Sequence, residues 1–164
     1  MQSNKLRFLT EKLRSRPNAI AVITGNPQYP DILGKVLFYN TPLGVLVCCD
    51  VMGLPNSKNN CGAGVFGIHI HEGESCTGNE NDYFYDTLGH YNPYRCEHPK
   101  HAGDMPPLFE NAGYAFSCFL TTRFVIEDII SRTVVIHRNA DDFTTQPSGN
   151  SGEKIACGDI NIIK

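Results

Sequence analysis

The chain has no tryptophan, and no apolar run in its 164 residues approaches the roughly 20 needed to cross a bilayer as a helix. A membrane is therefore not an expected partner. No basic stripe alternates with aromatics, and 14 Lys and Arg against 17 Asp and Glu give a formal net charge of -3, which argues against nucleic acid. The opening residues, MQSNKLRFLTEKLRSRPNA, lack the continuous apolar segment of a signal peptide, so a cytoplasmic location is expected. A secreted or periplasmic protein whose leader had been replaced by Met1 would read the same. Paired CxxC knuckles of the zinc-ribbon kind are missing, and seven cysteines are too few for a disulfide-framework miniprotein. Their odd number leaves at least one free thiol or one bridge between chains. Cys48 and Cys49 are adjacent, so in a strand they point to opposite faces.

Helical periodicity is scarce. Leu6, Leu9 and Leu13 space a short N-terminal helix between Asn4 and Arg16, with Pro17 as its stop. From Ala19 the pattern turns to β-type runs, AIAVITG, DILGKVLFYN and GVLVCCDVMG, each closed by Gly, Pro, Asn or Asp. The segment VFGIHIHEG alternates again, with Phe66, Ile68 and Ile70 on one face and Gly67, His69 and His71 on the other. Strand character returns in AGYAFSCFL, SRTVVIH and IACGDINII. Residues 72–107, and the polar stretch HRNADDFTTQPSGNSGEK, read as long loops, which in a compact domain are usually functional. The expectation is an all-β fold: an eight-stranded Greek-key β-barrel or sandwich with two long functional loops and a short N-terminal helical extension. Residues 1–17 form the extension and residues 18–164 the domain.

All six histidines, His69, His71, His90, His98, His101 and His137, fall in or beside the strand ends and the first long loop. His69 and His71 share a strand face, which lets two imidazoles converge on one ion, and neutral imidazole suits copper and zinc. His98, His101 and Asp104 lie within seven residues, a ligand mixture that tetrahedral zinc accepts. A strand His pair alone is more often a surface or core pair. The joint occurrence is what carries weight.

Together and in order, GIHIHEGESC, GHYNP, HAGDMPPL, SRTVVIH, NADDF and GNSGEKIACG resemble the Cu,Zn superoxide dismutases, from about Ala19 to the C-terminus. The resemblance implies an enzyme that disproportionates superoxide to oxygen and hydrogen peroxide, with one copper and one zinc per subunit. It implies copper held by His69, His71, His90 and His137, zinc held by His90, His98, His101 and Asp104, and His90 as the bridging imidazolate that also exchanges a proton. Asp141 matches the aspartate that orients His69 and His98. Cys76 and Cys157 match the intrasubunit disulfide. A homodimer and loading by a copper chaperone are further expectations.

Three departures accompany the resemblance. Lys154 stands where the family has an arginine, keeping the charge but not the planar fork. The stretch from His98 to His101 is shorter than in the animal enzymes, and the loop from Arg138 to Glu153 is abbreviated, so a more open copper mouth is expected. With the extra thiols Cys48, Cys49, Cys61, Cys96 and Cys118, Lys154 motivates an alternative: a copper- and zinc-binding or metal-buffering protein with weak dismutase activity. A purely structural sandwich has no use for seven converging metal-binding groups.

Overall fold

A computed structural model describes residues 8, 10–56 and 64–164. Nine strands are present among them: β1 Ala19–Gly25, β2 Leu33–Thr41, β3 Gly44–Met52, β4 Val65–Phe66, β5 Ile68–His71, β6 Leu108–Phe109, β7 Ala115–Thr121, β8 Thr133–His137 and β9 Lys154–Ile162. Seven form one antiparallel sheet in the order β5-β8-β9-β1-β2-β3-β7, and β4 pairs with β6. Because β4 runs on into β5 at one edge and β6 turns into β7 at the other, this short pair joins the two edges of a curled sheet. Counting β4 and β5 as one interrupted strand gives the expected eight.

The interruption is Gly67, whose N–H donates to the Asn139 carbonyl and whose carbonyl accepts from the His137 N–H, both at 2.8 Å. It hands the chain from the β6 side to the β8 side. Alternation holds in β1, whose Ala19, Ala21 and Ile23 are buried. It fails in β5 and β8, where every residue is buried. The histidine face of β5 is covered by the two loops, so both faces are interior.

The core is the inside of the curl, filled by Ile23, Val36, Phe38, Val47, Phe66, Ile68, Ile70, Leu108, Ile136, Ile155 and Ile160. Each such side chain contributes about 1.5–3 kcal/mol relative to exposure. A one-turn helix, Ile126–Ile129, buries Ile126 and Ile129 against this core. Neither that helix nor β6 announces itself in sequence, being four and two residues long. Residues 10–13 are helical, in the expected N-terminal segment, while Leu6 and Leu9 lie outside the described residues.

Cys48 and Cys49 do face opposite sides of β3. Cys49 is a buried free thiol in the core, pushed up to about 12 by burial and so held inert. Cys48 lies on the outer face beside Tyr39 and Leu46 and is bridged to Cys118, its direct partner in the β3–β7 register. Cys48 and Cys118 are thus not spare thiols, and Cys61 lies outside the described residues.

Candidate metal centre

β5 is an edge strand, and the loop that carries four of the expected ligands docks on that edge with strand-like hydrogen bonds. Ile70 N–H donates to Gly103 O at 2.9 Å, Tyr91 N–H to Ile70 O at 2.8 Å, and Glu72 N–H to Gly89 O at 2.9 Å. A side chain at Gly103 would collide with the Ile70 carbonyl, so this approach requires glycine. The result sets His90 opposite His71 and Asp104 opposite His69. His137 ends β8, beside β5 in the sheet.

Four of the six rings have one nitrogen fixed by the protein. His69 Nε2–H donates to Asp141 Oδ2 and His98 Nε2–H to Asp141 Oδ1, each at 2.8 Å. His71 Nδ1–H donates to Leu88 O at 2.9 Å, and His137 Nδ1–H to Gly152 O at 3.2 Å. Leu88 holds its carbonyl there at φ 61, ψ -146, a backbone region rarely adopted outside glycine. Gly149, at φ 67, lies so close to the Asp141 carboxylate and His98 that a Cβ would strike both.

With those nitrogens occupied, the remaining ones converge. His71 Nε2 and His137 Nε2 face each other at 3.2 Å with no hydrogen between them, both Nδ1 atoms carrying the proton. The His69 and His90 rings stack with centroids 3.9 Å apart. His69, His71, His90 and His137 form one buried four-ligand group, and His90, His98, His101 and Asp104 form a second. His90 belongs to both: its Nδ1 lies 2.8 Å from Asp104 Oδ1 and 3.5 Å from His101 Nδ1, and its Nε2 is buried on the other side without a hydrogen-bond partner. His69 Nδ1 and His98 Nδ1 are likewise buried without one. Unpaired buried polar atoms cost roughly 1–3 kcal/mol each. Three of them pointing inward from two ligand sets is what metal ions would relieve. The four-imidazole set fits copper, and three imidazoles with a carboxylate fit tetrahedral zinc.

Electrostatics agree with that fit. Burial lowers His69 to about 4 and His137 to about 3, and pushes His71 well below its ordinary value, so these rings are neutral ligands at neutral pH. Burial alone would raise Asp104 and Asp141. Hydrogen bonds overcome it, from His90 to Asp104, and from His69, the Phe143 N–H and His98 to Asp141, so both stay ionised.

The expected site residues are therefore brought together: His69, His71, His90, His98, His101, His137, Asp104 and Asp141. Cys76 is bridged to Cys157, joining the loop to β9. Lys154 lines a cavity of about 590 Å³ that opens onto His71, His90, His101 and His137. Its ammonium is held 2.8 Å from Asp82 Oδ2 and 3.0 Å from the Phe84 carbonyl. Asp82 carries no motif and was invisible in the sequence. Two other partners were missed as well. Arg123 Nη1 donates to the carbonyls of Pro99, His101 and Asp104 at 3.1, 3.2 and 3.3 Å. Gln146 brackets His98, accepting from its N–H at 3.0 Å and donating to its carbonyl at 2.8 Å. Both act on backbone, whose partners have no sequence signature.

Comparisons with known proteins agree with the geometry. The family profile described as "Copper/zinc superoxide dismutase (SODC)" matches residues 32–160. The Cu-Zn superoxide dismutase of Legionella pneumophila is 33% identical over 147 residues, covering 85% of this chain and 83% of its own length. Cu-Zn superoxide dismutase 2 of Aquifex aeolicus is 31% identical over 145 residues, covering 79% and 80%. Among solved structures, the Cu/Zn superoxide dismutase of Brucella abortus superposes with a TM-score of 0.71 over 89% of this chain and 99% of its own, at 23% identity, a likeness of fold. The match to the profile and to these relatives, over most of the length, places this chain in the copper/zinc superoxide dismutase family.

Proposed function

We propose that His69, His71, His90 and His137 hold copper, that His90, His98, His101 and Asp104 hold zinc, and that superoxide is disproportionated in the cavity above the first group. The observation that carries this reading is the double membership of His90, with Nε2 turned to one ligand set and Nδ1 to the other. Bound copper would supply the one-electron exchange by which one superoxide is oxidised to oxygen and a second, with two protons, is reduced to hydrogen peroxide. Zinc would supply charge and no redox chemistry.

The chain's own residues do the rest. Asp141 keeps His69 and His98 in one tautomer each and fixes the spacing of the two groups. The Leu88 and Gly152 carbonyls do the same for His71 and His137. Held at Nδ1 among Asp104, His98 and His101, His90 can take and release a proton at Nε2 without swinging away. Lys154 closes one wall of the cavity, where its positioned ammonium donates to an anion that has arrived. The domain that does this is residues 18–164, with 1–17 as an extension.

A second copy of the chain is the partner best matched to the outer sheet face. There Val22, Leu33, Met52 and Phe116 are 61%, 52%, 56% and 60% exposed around the Lys35–Asp50 pair, a self-complementary arrangement for a twofold contact. A copper chaperone would load the site through the cavity mouth. Two disulfides favour an oxidising compartment over the cytoplasm. The test of the central reading is metal analysis joined to activity. One copper and one zinc per chain, with His90→Ala losing tight binding of both, supports it; loss of one metal alone contradicts the bridge.

A further inference from the structure

The cavity over the copper ligands is lined by two cations, Lys154 and Arg95, and by two carboxylates, Glu72 and Glu97. A neighbouring hollow of about 320 Å³ shares Lys154 and adds Glu80, Asp82 and Glu153. The mouth of an enzyme whose substrate is an anion thus has more acid than base around it. Lys154 cannot offset this at long range, because Asp82 sits 2.8 Å from its ammonium and makes the pair a dipole. Arg95 differs. Its side chain is exposed and forms no ion pair among the described residues.

Arg95 is also held in place at its backbone. It adopts φ 53, a left-handed backbone that a non-glycine residue keeps only when its surroundings impose it. Asn92 imposes it: its side-chain oxygen accepts from Cys96 N–H and its side-chain nitrogen donates to Cys96 O, both at 2.9 Å, and its carbonyl accepts from Arg95 N–H at 3.2 Å. This closed turn lies between the ligands His90 and His98.

We propose that Arg95 is the group that attracts superoxide into the copper cavity, while Lys154, neutralised at long range by Asp82, acts only on the anion once it has arrived. The proposal rests on the dismutase reading above. Long-range attraction is screened by salt and short-range hydrogen bonding far less, so the two roles separate in an ionic-strength series.

The experiment uses the chain loaded with copper and zinc, the variants Arg95→Gln, Arg95→Lys and Asp82→Asn, and the double variant Asp82→Asn/Lys154→Gln. Two quantities are read from low to high salt: superoxide decay by pulse radiolysis, and the affinity for azide from the copper absorption. Arg95→Gln is expected to lower the low-salt rate about three- to tenfold and to flatten its salt dependence, with Arg95→Lys restoring both. The double variant Asp82→Asn/Lys154→Gln, which removes the pair without changing the net charge, should lower the rate by a similar factor at every salt concentration. Asp82→Asn, by releasing the Lys154 charge, should raise the low-salt rate and steepen the slope. An unchanged slope in Arg95→Gln, or a slope flattened by the Asp82→Asn/Lys154→Gln double variant instead, overturns the assignment. Azide binding reports the same attraction without turnover. A protein inert toward superoxide would therefore sink the dismutase reading, while the salt dependence of azide affinity would still decide for or against Arg95.

Discussion

The Nε2–H of His69 donates to Oδ2 of Asp141 at 2.8 Å, and this one bond decides which face of the ring, its Nδ1, is left for a metal. The other carboxylate oxygen does the same for His98 in the neighbouring group. Asp141→Ala should therefore weaken both sites together, by about 10–100-fold in affinity for each metal, because both rings lose their tautomer and orientation. Chelator competition for copper and zinc measures this. A variant that weakens one metal alone would show that Asp141 does not couple the sites.

Arg123 supports only the group proposed to hold zinc. Its three hydrogen bonds all fall on the backbone between Pro99 and Asp104. Arg123→Ala should speed zinc release to a chelator about tenfold, by analogy with other ligand-orienting partners, and leave copper affinity unchanged. Equal effects on both metals would point to general loosening of the fold.

The Cys76–Cys157 bridge closes 81 residues of chain and anchors the ligand loop to β9, with the Cys76 N–H also donating to Asp159 Oδ1 at 3.0 Å. Cys76→Ser should cost about 2–5 kcal/mol in the metal-free protein, measured by urea unfolding. Peptide mapping of unreduced protein should find Cys76 with Cys157 and Cys48 with Cys118. Any other linkage contradicts the placement of the loop.

Metal-free protein should lose stability on acidification before its carboxylates titrate. Burial places His69 at about 4 and His137 at about 3, below the unfolded value near 6.5. The unfolded chain therefore binds protons first, and stability falls as pH drops from about 6.5 toward 4 and on to 3. Thermal unfolding across this range should show a steadily falling midpoint, reduced when His137 is replaced by Gln. A flat profile would mean that these rings are not buried without their metals.

The three leading strands were legible because short apolar, β-branched-rich runs closed by turn residues are a strand signal, and β1, β2 and β3 fall within two residues of the runs that announced them. β4 and β5 were legible as one strand. The break at Gly67 depends on bonds to Asn139 and His137, seventy residues away, which no local pattern contains. The candidate ligands were legible because imidazole and carboxylate suit copper and zinc and all six histidines clustered. The positioning groups were not. Leu88, Gly152 and Gly103 act through backbone atoms, and Gln146, Arg123 and Asp82 resemble any polar loop residue. The role of Lys154 was legible as charge, but its pairing with Asp82, 72 residues distant in the chain, was not.

The most direct test is superoxide decay by pulse radiolysis in protein carrying one copper and one zinc, beside an identically loaded His71→Ala variant. The account predicts a fast, copper-dependent rate for the native chain that falls at least tenfold (~1.4 kcal/mol) in the variant. A native rate no higher than the variant's would contradict it and leave a metal-binding protein built on this fold.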